Sequence, residues 1–283
     1  MWRLALALVV LLAACSESDK KRVLEVLEHE EVVGGIARVL ARSDTLMVSD
    51  ALSIEGTPSL TEYECITETN TCTRDSVPLF EPVDTLAELI TVTANPDIER
   101  SDIRQHNGID VAEYSVTETR PGAVWTTTHY GAWLDYSAFE TSIARGLKTD
   151  NVNVLAAYSI SFGQRTPDDA LPLQDGATWE GMMLGHTRGQ NAVDALQGDA
   201  TIAFEFDAMT VDVVFSNIRY VATDADFRGG DIPFNDIQVS NGAFTDRTAT
   251  AHIAGRFYGP AHEEVGGVFT WPTALGAFGA RKQ

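Results

Sequence analysis

The sequence predicts a mainly β protein, in which residues 120–283 form a closed barrel or a sandwich. Three observations support this. Eight or nine short strands follow one another at even spacing. Apolar and polar residues alternate along them, as in Ile202, Phe204 and Phe206. Glycines also interrupt the final strands, as they do where two backbones come close. The strands are expected at residues 124–133, 154–162, 178–185, 201–206, 210–216, 237–245, 248–258, 265–271 and 275–281.

Local patterns within this region predict several turns. Asp207 and Ala208 are expected to form a two-residue hairpin loop, although the glycine typical of such loops is absent. Gly259-Pro260 predict a corner, because proline lacks the N–H that a central strand needs. Residues 137–147 fit either a short helix or a continued strand.

The outward positions of the strands are mostly polar, the reverse of a lipid-spanning barrel, so the barrel is expected to face water.

The first residues predict a secreted, lipid-anchored chain. Residues 4–14 are uninterrupted apolar positions after a single arginine, too short for a spanning helix and typical of a signal peptide. They end in Leu-Ala-Ala-Cys, which is similar to a bacterial lipobox, so residues 1–14 are interpreted as the leader and Cys15 as the acylated residue. Residues 15–22 then form a short tether. By analogy with lipoproteins, Ser16 after the cysteine indicates the outer membrane.

Residues 23–119 are predicted to form an α+β segment ahead of the barrel. Apolar residues of 23–42 lie roughly on one helical face, and Gly34-Gly35 weaken its middle, so one kinked helix or two short helices are expected. Short strands and proline-rich loops follow. Cys65 and Cys72 are separated by six residues, and in an oxidising compartment this spacing predicts a disulfide that closes a hairpin-like loop.

Charge and motifs exclude several classes of function. Asp and Glu number 41 against 20 Lys and Arg, a net charge of −21, which argues against nucleic acid as a partner. The chain contains no nucleophile elbow, phosphate loop or dinucleotide motif, so it is predicted not to be an enzyme. His262-Glu263-Glu264 begins like a zinc-protease motif but lacks the second histidine, and it is interpreted as a solvated acidic turn.

Motifs in the second half of the chain resemble one known family. GRFYGPAHEEVGGVF at 255–269 and LGAFGAR at 275–281 are similar to the end of the transferrin-binding-protein-like β-barrel of Gram-negative lipoproteins. HYGAWLDYSAF at 129–139, WEGMMLG at 179–185 and VDVVFSNI at 211–218 follow the order of that family. The resemblance implies an eight-stranded up-and-down barrel used for binding. Residues 23–119 would take the place of the small handle that precedes the barrel in related lipoproteins.

Three histidines and one loop are the candidate ligand groups. His129, His186 and His252 are expected on or beside barrel strands, where they either converge on a haem or metal or are ordinary half-buried side chains. The loop at 224–236 is rich in oxygen ligands but lacks the spacing of a calcium site, so a flexible hairpin loop is preferred. Most of the tryptophans are interpreted as core. We therefore predict no cofactor and no metal, and we assign no ligand-binding residue.

The leading functional hypothesis is a lipid-anchored outer-membrane protein that captures a protein or a small nutrient ligand. A relation to iron or haem enters only through the family resemblance. The alternative hypothesis is a structural or assembly lipoprotein of the cell envelope that contacts other envelope proteins through its acidic surface.

Overall fold

A computed structural model of the 283-residue chain describes most of its second half and parts of its first. The described residues are 39, 43, 45–49, 60–66, 71–74, 77–78, 98–120, 123–148, 153–167, 176–188 and 193–283. The predicted leader, Cys15 and the tether lie outside these ranges. So does the predicted helix at 23–42, apart from Val39, whose backbone is helical.

A nine-stranded antiparallel sheet occupies the described residues before position 164. The strands run in the order β4-β3-β2-β1-β9-β8-β7-β6-β5, so that β1 pairs with β9 and joins the first four strands to the rest. Their bounds are β1 Thr45–Ser49, β2 Leu60–Ile66, β3 Thr71–Arg74, β4 Val77–Pro78, β5 Ile98–His106, β6 Ile109–Arg120, β7 Ala123–Trp133, β8 Ser137–Lys148 and β9 Asn153–Gly163.

The remaining eight strands form a closed antiparallel barrel, as the family resemblance implied. Each strand pairs with the next along the chain, and the last pairs with the first, which closes the barrel. Closure leaves no sheet edge with unpaired backbone groups. The bounds are β10 Ala177–Thr187, β11 Ala195–Glu205, β12 Thr210–Tyr220, β13 Ile232–Ser240, β14 Ala243–Arg247, β15 His252–Tyr258, β16 Glu264–Thr270 and β17 Ala274–Lys282.

The start of the barrel differs from the prediction. Strands were expected at 124–133 and 154–162, and both exist, but they belong to the nine-stranded sheet, and the barrel begins at Ala177. Residues 137–148 are a strand and not a helix, because β8 pairs along almost its whole length with β7 on one side and β9 on the other. Alternation of apolar residues predicts that a segment is a strand, but it does not choose the partner strand.

The barrel interior is filled by its own side chains. Along β11, Ile202 and Phe204 are buried while Thr201, Ala203 and Glu205 are exposed, as the alternation predicted. Phe206 was expected on the same buried face, but it lies beyond the end of the strand and is exposed. Phe215 lies at the centre, with its ring centroid 4.4 Å from that of Phe269 and 5.2 Å from that of Phe278. An eight-stranded barrel is just wide enough for side chains to fill it. The other buried aromatic residues of this cluster are Trp179, Phe204, Phe227, Phe234, Phe244 and Phe257.

Two turns at one end of the barrel differ in their residues. Asn241 and Gly242 connect β13 to β14 with φ of 51° and 69°, the backbone of a tight hairpin for which Asn-Gly is favoured. Between β11 and β12 the two-residue loop predicted at Asp207-Ala208 is wrong. The strands end at Glu205 and restart at Thr210, so the turn covers residues 206–209.

The glycines of the last strands let the barrel touch the sheet. A Cβ on Gly279 of β17 would lie 2.4 Å from a ring carbon of Phe139 on β8, too close for any larger residue without movement. A Cβ on Gly267 would lie 2.1 Å from the Ala254 carbonyl oxygen of the neighbouring strand. The prediction that glycine marks close approach of another backbone is therefore confirmed at Gly267, whereas Gly279 makes room for a side chain.

The two cysteines lie opposite each other in the hairpin of β2 and β3. Cys65 and Cys72 are direct partners in this antiparallel ladder. Directly opposed residues of such a ladder have Cα atoms about 4.5–5.5 Å apart, a distance that a disulfide can span. The disulfide itself stays a prediction. Separately, the described ranges contain no helix long and apolar enough to cross a membrane.

Candidate functional site

The most concentrated group of buried polar side chains lies on the nine-stranded sheet. The Glu140 carboxylate accepts hydrogen bonds from the Tyr114 hydroxyl at 2.5 Å and from the Ser142 hydroxyl at 2.7 Å, and lies 2.7 Å from Nδ1 of His129. The Tyr114 and His129 rings stack with centroids 4.7 Å apart. Phe139, one residue before Glu140, contacts the barrel at Gly279, so this group faces away from the barrel.

Charge explains why the carboxylate is tolerated in the interior. Burial acts to raise the pKa of Glu140, but the charge and hydrogen bond of His129 and the other hydrogen bonds outweigh it. The pKa of Glu140 therefore lies below its ordinary value, and the carboxylate is ionised at neutral pH. All four residues of the group are at most 4% exposed.

This arrangement is not a catalytic relay. In a serine nucleophile system, the acid binds one ring nitrogen of the histidine and the serine binds the other. Here Ser142 Oγ and Glu140 Oε1 both approach Nδ1 of His129, at 2.8 and 2.7 Å. Because both groups meet the same ring nitrogen, the histidine cannot relay a proton between the serine hydroxyl and the carboxylate through its two nitrogens. The hydrogen bonds of the group instead link β6, β7 and β8.

The structure does not bring the three candidate histidines together. His129 lies on the sheet, whereas His186 is fully buried near the end of β10, with Nδ1 3.4 Å from the Thr187 carbonyl oxygen. Burial lowers the pKa of His186 to about 4. His252 is half-buried beside Thr248 and Arg247. Within the described ranges, no group of three or more His, Cys, Asp or Glu residues is placed to hold a metal ion.

The acidic loop pairs with a neighbouring arginine. Asp224 Oδ2 lies 3.0 Å from Nη1 of Arg219, and Asp226 Oδ1 lies 3.5 Å from Nη2. These carboxylates are directed at the guanidinium of β12. Residues 221–231 join the paired strands β12 and β13 as a hairpin connection, whereas residues 232–236, which were expected in the loop, belong to β13.

Glu264 holds the sheet onto the barrel, so its interpretation as part of a solvated turn is wrong. Its side chain is buried and reaches the loop between β7 and β8. It accepts hydrogen bonds from the Asp135 N–H at 2.8 Å, the Tyr136 N–H at 3.2 Å and the Ser137 hydroxyl at 2.7 Å. Burial raises the pKa of Glu264 despite these hydrogen bonds. The family-like segments 129–139 and 255–269 therefore meet at this carboxylate.

A second contact between sheet and barrel was not predicted. The turn between β5 and β6 places Asn107 Nδ2 2.8 Å from Asp199 Oδ1, and His106 Nε2 lies 2.7 Å from the same oxygen. Burial acts to raise the pKa of Asp199, but the hydrogen bonds outweigh it and the pKa lies below its ordinary value. The Asn107-Gly108 pair, with φ of 49° and 71°, is the hairpin signal that would have located this turn.

One exposed apolar group remains, at the turn between β11 and β12. Phe206 is 42% exposed and Met209 is 45% exposed, and in the described residues only Val124, at 45%, is a comparably exposed large apolar side chain. Val124 lies on β7 of the nine-stranded sheet. We call residues 206–209 the barrel tip. Because the barrel interior is filled, a surface feature of this kind is where a ligand would find apolar contact.

The described fold defines a class: a closed up-and-down β-barrel with a filled interior, joined to an antiparallel sheet. Residues 171–282 match the family model described as the C-lobe and N-lobe beta barrels of Tf-binding protein B. The resemblance recognised in the sequence is confirmed: residues 171–282 are similar to the barrels of the transferrin-binding-protein-B family. No curated protein matches the chain by sequence.

Several solved structures are similar to this chain at low sequence identity. A double mutant of Transferrin Binding Protein B from Haemophilus parasuis is 12% identical, with 84% of this chain and 45% of that chain covered and a TM-score of 0.45. The isotype 1 protein from serogroup B Neisseria meningitidis is 13% identical, with 84% and 44% covered and a TM-score of 0.37. A single mutant of Transferrin Binding Protein B from Actinobacillus pleuropneumoniae is 10% identical, with 84% of this chain and 99% of that chain covered and a TM-score of 0.40. The chain thus spans less than half of the first two structures.

Proposed function

We propose that this protein is a lipid-anchored, non-catalytic binding protein of the outer membrane that captures a protein ligand on its outer surface. The observation that carries the proposal is the match of residues 171–282 to the barrels of Tf-binding protein B. A lipoprotein-like leader at residues 1–14, followed directly by Cys15, supports the membrane attachment. Several acyl chains on one cysteine anchor a protein stably, where a single chain does so only marginally.

The packing of the barrel favours a protein ligand over haem inside the barrel. Phe215, Phe269 and Phe278 occupy the interior, which leaves the outer surface for recognition. His129, His186 and His252 lie in three separate environments, so they offer no shared site for haem iron. Transferrin is the first ligand to test, because the family whose model matches residues 171–282 is named for binding it.

The first experiment uses the protein from Ser16 onward, captured on immobilised iron-loaded transferrin, together with a haemin titration followed by absorbance. We expect saturable binding to a protein and no shift of the Soret band. A saturable Soret shift that is lost on His186→Ala would overturn the preference for a protein ligand. Absence of binding to iron-loaded and iron-free transferrins would exclude transferrin as the ligand.

Membrane attachment is tested separately with the full chain. Cys15→Ala should move the protein from the membrane fraction to the soluble fraction, because the anchor is the lipid on that cysteine. Cys65→Ala is the control, since it removes a thiol but not the proposed acylation site. Equal membrane association of the Cys15 variant and the wild type would contradict the anchor.

The second candidate is an assembly lipoprotein of the envelope. The net charge of −21 favours it, because an acidic surface suits contacts with basic neighbouring proteins. Protease treatment of intact cells separates the two functions. Cleavage by added protease indicates a surface binding protein, whereas protection until the outer membrane is permeabilised indicates a periplasmic assembly role.

A further inference from the structure

The barrel tip and the neighbouring hairpin turn at the same end both require a positive φ, but different residues adopt it. At residues 241–242 the chain uses Asn and Gly, which accept positive φ readily. At the barrel tip the positive φ, 53°, falls on Met209. A bulky side chain in this region of backbone space is uncommon, and the left-handed conformation costs an L-residue about 1–2 kcal/mol relative to glycine.

The conformation of Met209 is held by its surroundings. Its N–H donates to the Phe206 carbonyl oxygen at 3.2 Å, and its own carbonyl accepts from the Val239 N–H of β13 at 2.9 Å. The turn therefore dictates the backbone, and glycine would satisfy it at lower cost. Strain that persists at an exposed position points to a function of the side chain.

The exposed side chains of the barrel tip combine apolar surface with negative charge. Phe206 and Met209 are more than two-fifths exposed, and Asp207 lies between them in the turn. Glu205 precedes the turn and Asp212 follows it, both exposed. In the hairpin of β11 and β12 the only basic residue is Arg219, near the far end of β12.

We infer that the barrel tip is the contact through which this protein binds its protein partner, and that the partner presents an apolar pocket rimmed by Lys and Arg. The inference rests on the proposed function, since it locates the binding surface of that function. Phe206 and Met209 supply the apolar anchor. Glu205, Asp207 and Asp212 select the partner by charge and increase its rate of association.

The charge distribution argues against two other occupants. An anionic membrane surface would repel these carboxylates, although it could accept Phe206 and Met209. A second copy of the same chain, which carries a net charge of −21, would present like charge to like charge. A basic protein surface is the occupant that matches both the apolar and the acidic parts of the tip.

The test places a photo-cross-linking benzoylphenylalanine at position 206 of the full lipidated chain in its own cells. The matched control carries the same residue at Thr201, which is exposed on the wall of β11. We expect a protein adduct from position 206 and none from position 201. The cross-linked partner peptide should lie in a Lys- and Arg-rich surface, and the adduct should weaken at about 1 M salt, where the Debye length is roughly 3 Å.

Each other result overturns the inference. No adduct at 206, or equal adducts at both positions, would place the binding surface elsewhere. Adducts with phospholipid would make the tip a membrane contact, and adducts with a second copy would make it a self-association surface. Capture of a ligand by the wild-type protein can succeed in all these cases, so failure of the inference is distinguishable from failure of the proposed function.

Variants of the turn add a second measurement, the yield of the same partner adduct from benzoylphenylalanine at position 206. Met209→Gly should raise the melting temperature by about 2 °C, because glycine relieves the positive φ, while reducing the adduct about tenfold. A folding defect would instead lower both the melting temperature and the adduct yield. Asp207→Lys should reduce the adduct, whereas the same charge change at Asp231, exposed at the opposite end of the barrel, should not.

Discussion

The barrel interior and the face of the nine-stranded sheet that carries Glu140 bury different kinds of residue. Inside the barrel the buried cluster is entirely apolar, with Phe215 at its centre. On the sheet, Glu140 and His129 are buried as a hydrogen-bonded pair. Both regions consist of antiparallel strands of similar length, so secondary structure does not account for the difference. A closed barrel excludes water from its axis and can be filled by rings, whereas an open sheet uses specific polar contacts to set its register.

This contrast predicts different responses to acid. A core without ionisable groups keeps its packing energy at every pH, whereas a buried carboxylate loses its stabilising charge when it is protonated. His186 is buried in the barrel wall, where its partners on the neighbouring strands are Ala195 and Leu275. The wall of the barrel therefore also contains a group whose protonation can change stability in acid. Substitutions in the two regions should therefore separate by size and by pH dependence.

The largest effect is expected from Phe215→Ala in the barrel. Removing a fully buried ring in contact with Phe269 and Phe278 should lower the free energy of unfolding by about 3–5 kcal/mol. The loss should be the same at pH 7 and pH 4, as measured by urea denaturation. Val214→Ala, at a half-buried position next to it, is the control. A loss below about 1 kcal/mol would mean that the interior is loosely packed.

The next largest effect is expected from the protonation of His186 at acidic pH. Its pKa of about 4 in the folded state lies below the ordinary 6.5, so the unfolded chain binds more protons between these values. Stability is then lost as the pH falls from 6.5 to 4, by about 3 kcal/mol in total. His186→Leu should flatten this part of the stability profile in urea denaturation across pH. An unchanged slope would contradict the assignment. His252→Leu, at a half-buried site whose pKa is lowered less strongly, should flatten the profile less.

Glu140→Gln should have an intermediate effect on the sheet. The variant keeps the shape but removes the charge that accepts three hydrogen bonds, at a cost of about 1.5–3 kcal/mol at pH 7. The lowered pKa means that this stabilisation is present above the ordinary value of 4.5 and is lost as the pH falls through the lowered pKa. The difference from wild type should shrink at pH 3. A difference that stays constant with pH would show that the charge is unimportant, and Glu180→Gln, exposed on β10, is the control.

The smallest effect is expected where the two regions meet. Gly279→Ala places a methyl group 2.4 Å from a ring carbon of Phe139, so the ring must move, at about 1–3 kcal/mol. Hydrogen exchange should speed up in β8 and β17 and remain slow in the far wall of the barrel. Gly176→Ala, where the nearest atom would be 3.4 Å away, should be neutral. Uniform acceleration of exchange would mean that sheet and barrel unfold as one unit.

The sequence predicted the elements of the barrel better than their assembly. Alternation and glycine chemistry predicted seven strand segments between Ala177 and Lys282 and a close approach of backbones at Gly267, but residues 237–245, predicted as one strand, are divided between β13, a tight turn and β14. The structure, and not the sequence, decided that the interior is filled. The eight-stranded closure came from the family resemblance. The segment 123–163 was placed in the wrong sheet, because strand patterns are the same in either one.

The candidate contacts were the least predictable part. Glu264 looked like a solvated acid because its immediate neighbours are Glu263 and His262. Its burial depends on the loop of residues 135–137, more than a hundred positions earlier. Asp199 likewise acquires its partners from the turn at Asn107. Long-range contacts of this kind leave no local periodicity that sequence reasoning can detect.

By itself, the sequence determined the β character of the chain, the alternation that gives each strand an inner and an outer face, and the acidic surface. Those properties depend on residues a few positions apart, where backbone geometry relates sequence directly to structure. Only the tertiary structure decided which strands close the barrel, that Glu264 and Asp199 hold the sheet against it, and that Phe206 and Met209 remain exposed at its tip. Burial and pairing depend on residues far apart in the chain, and packing alone brings those residues together.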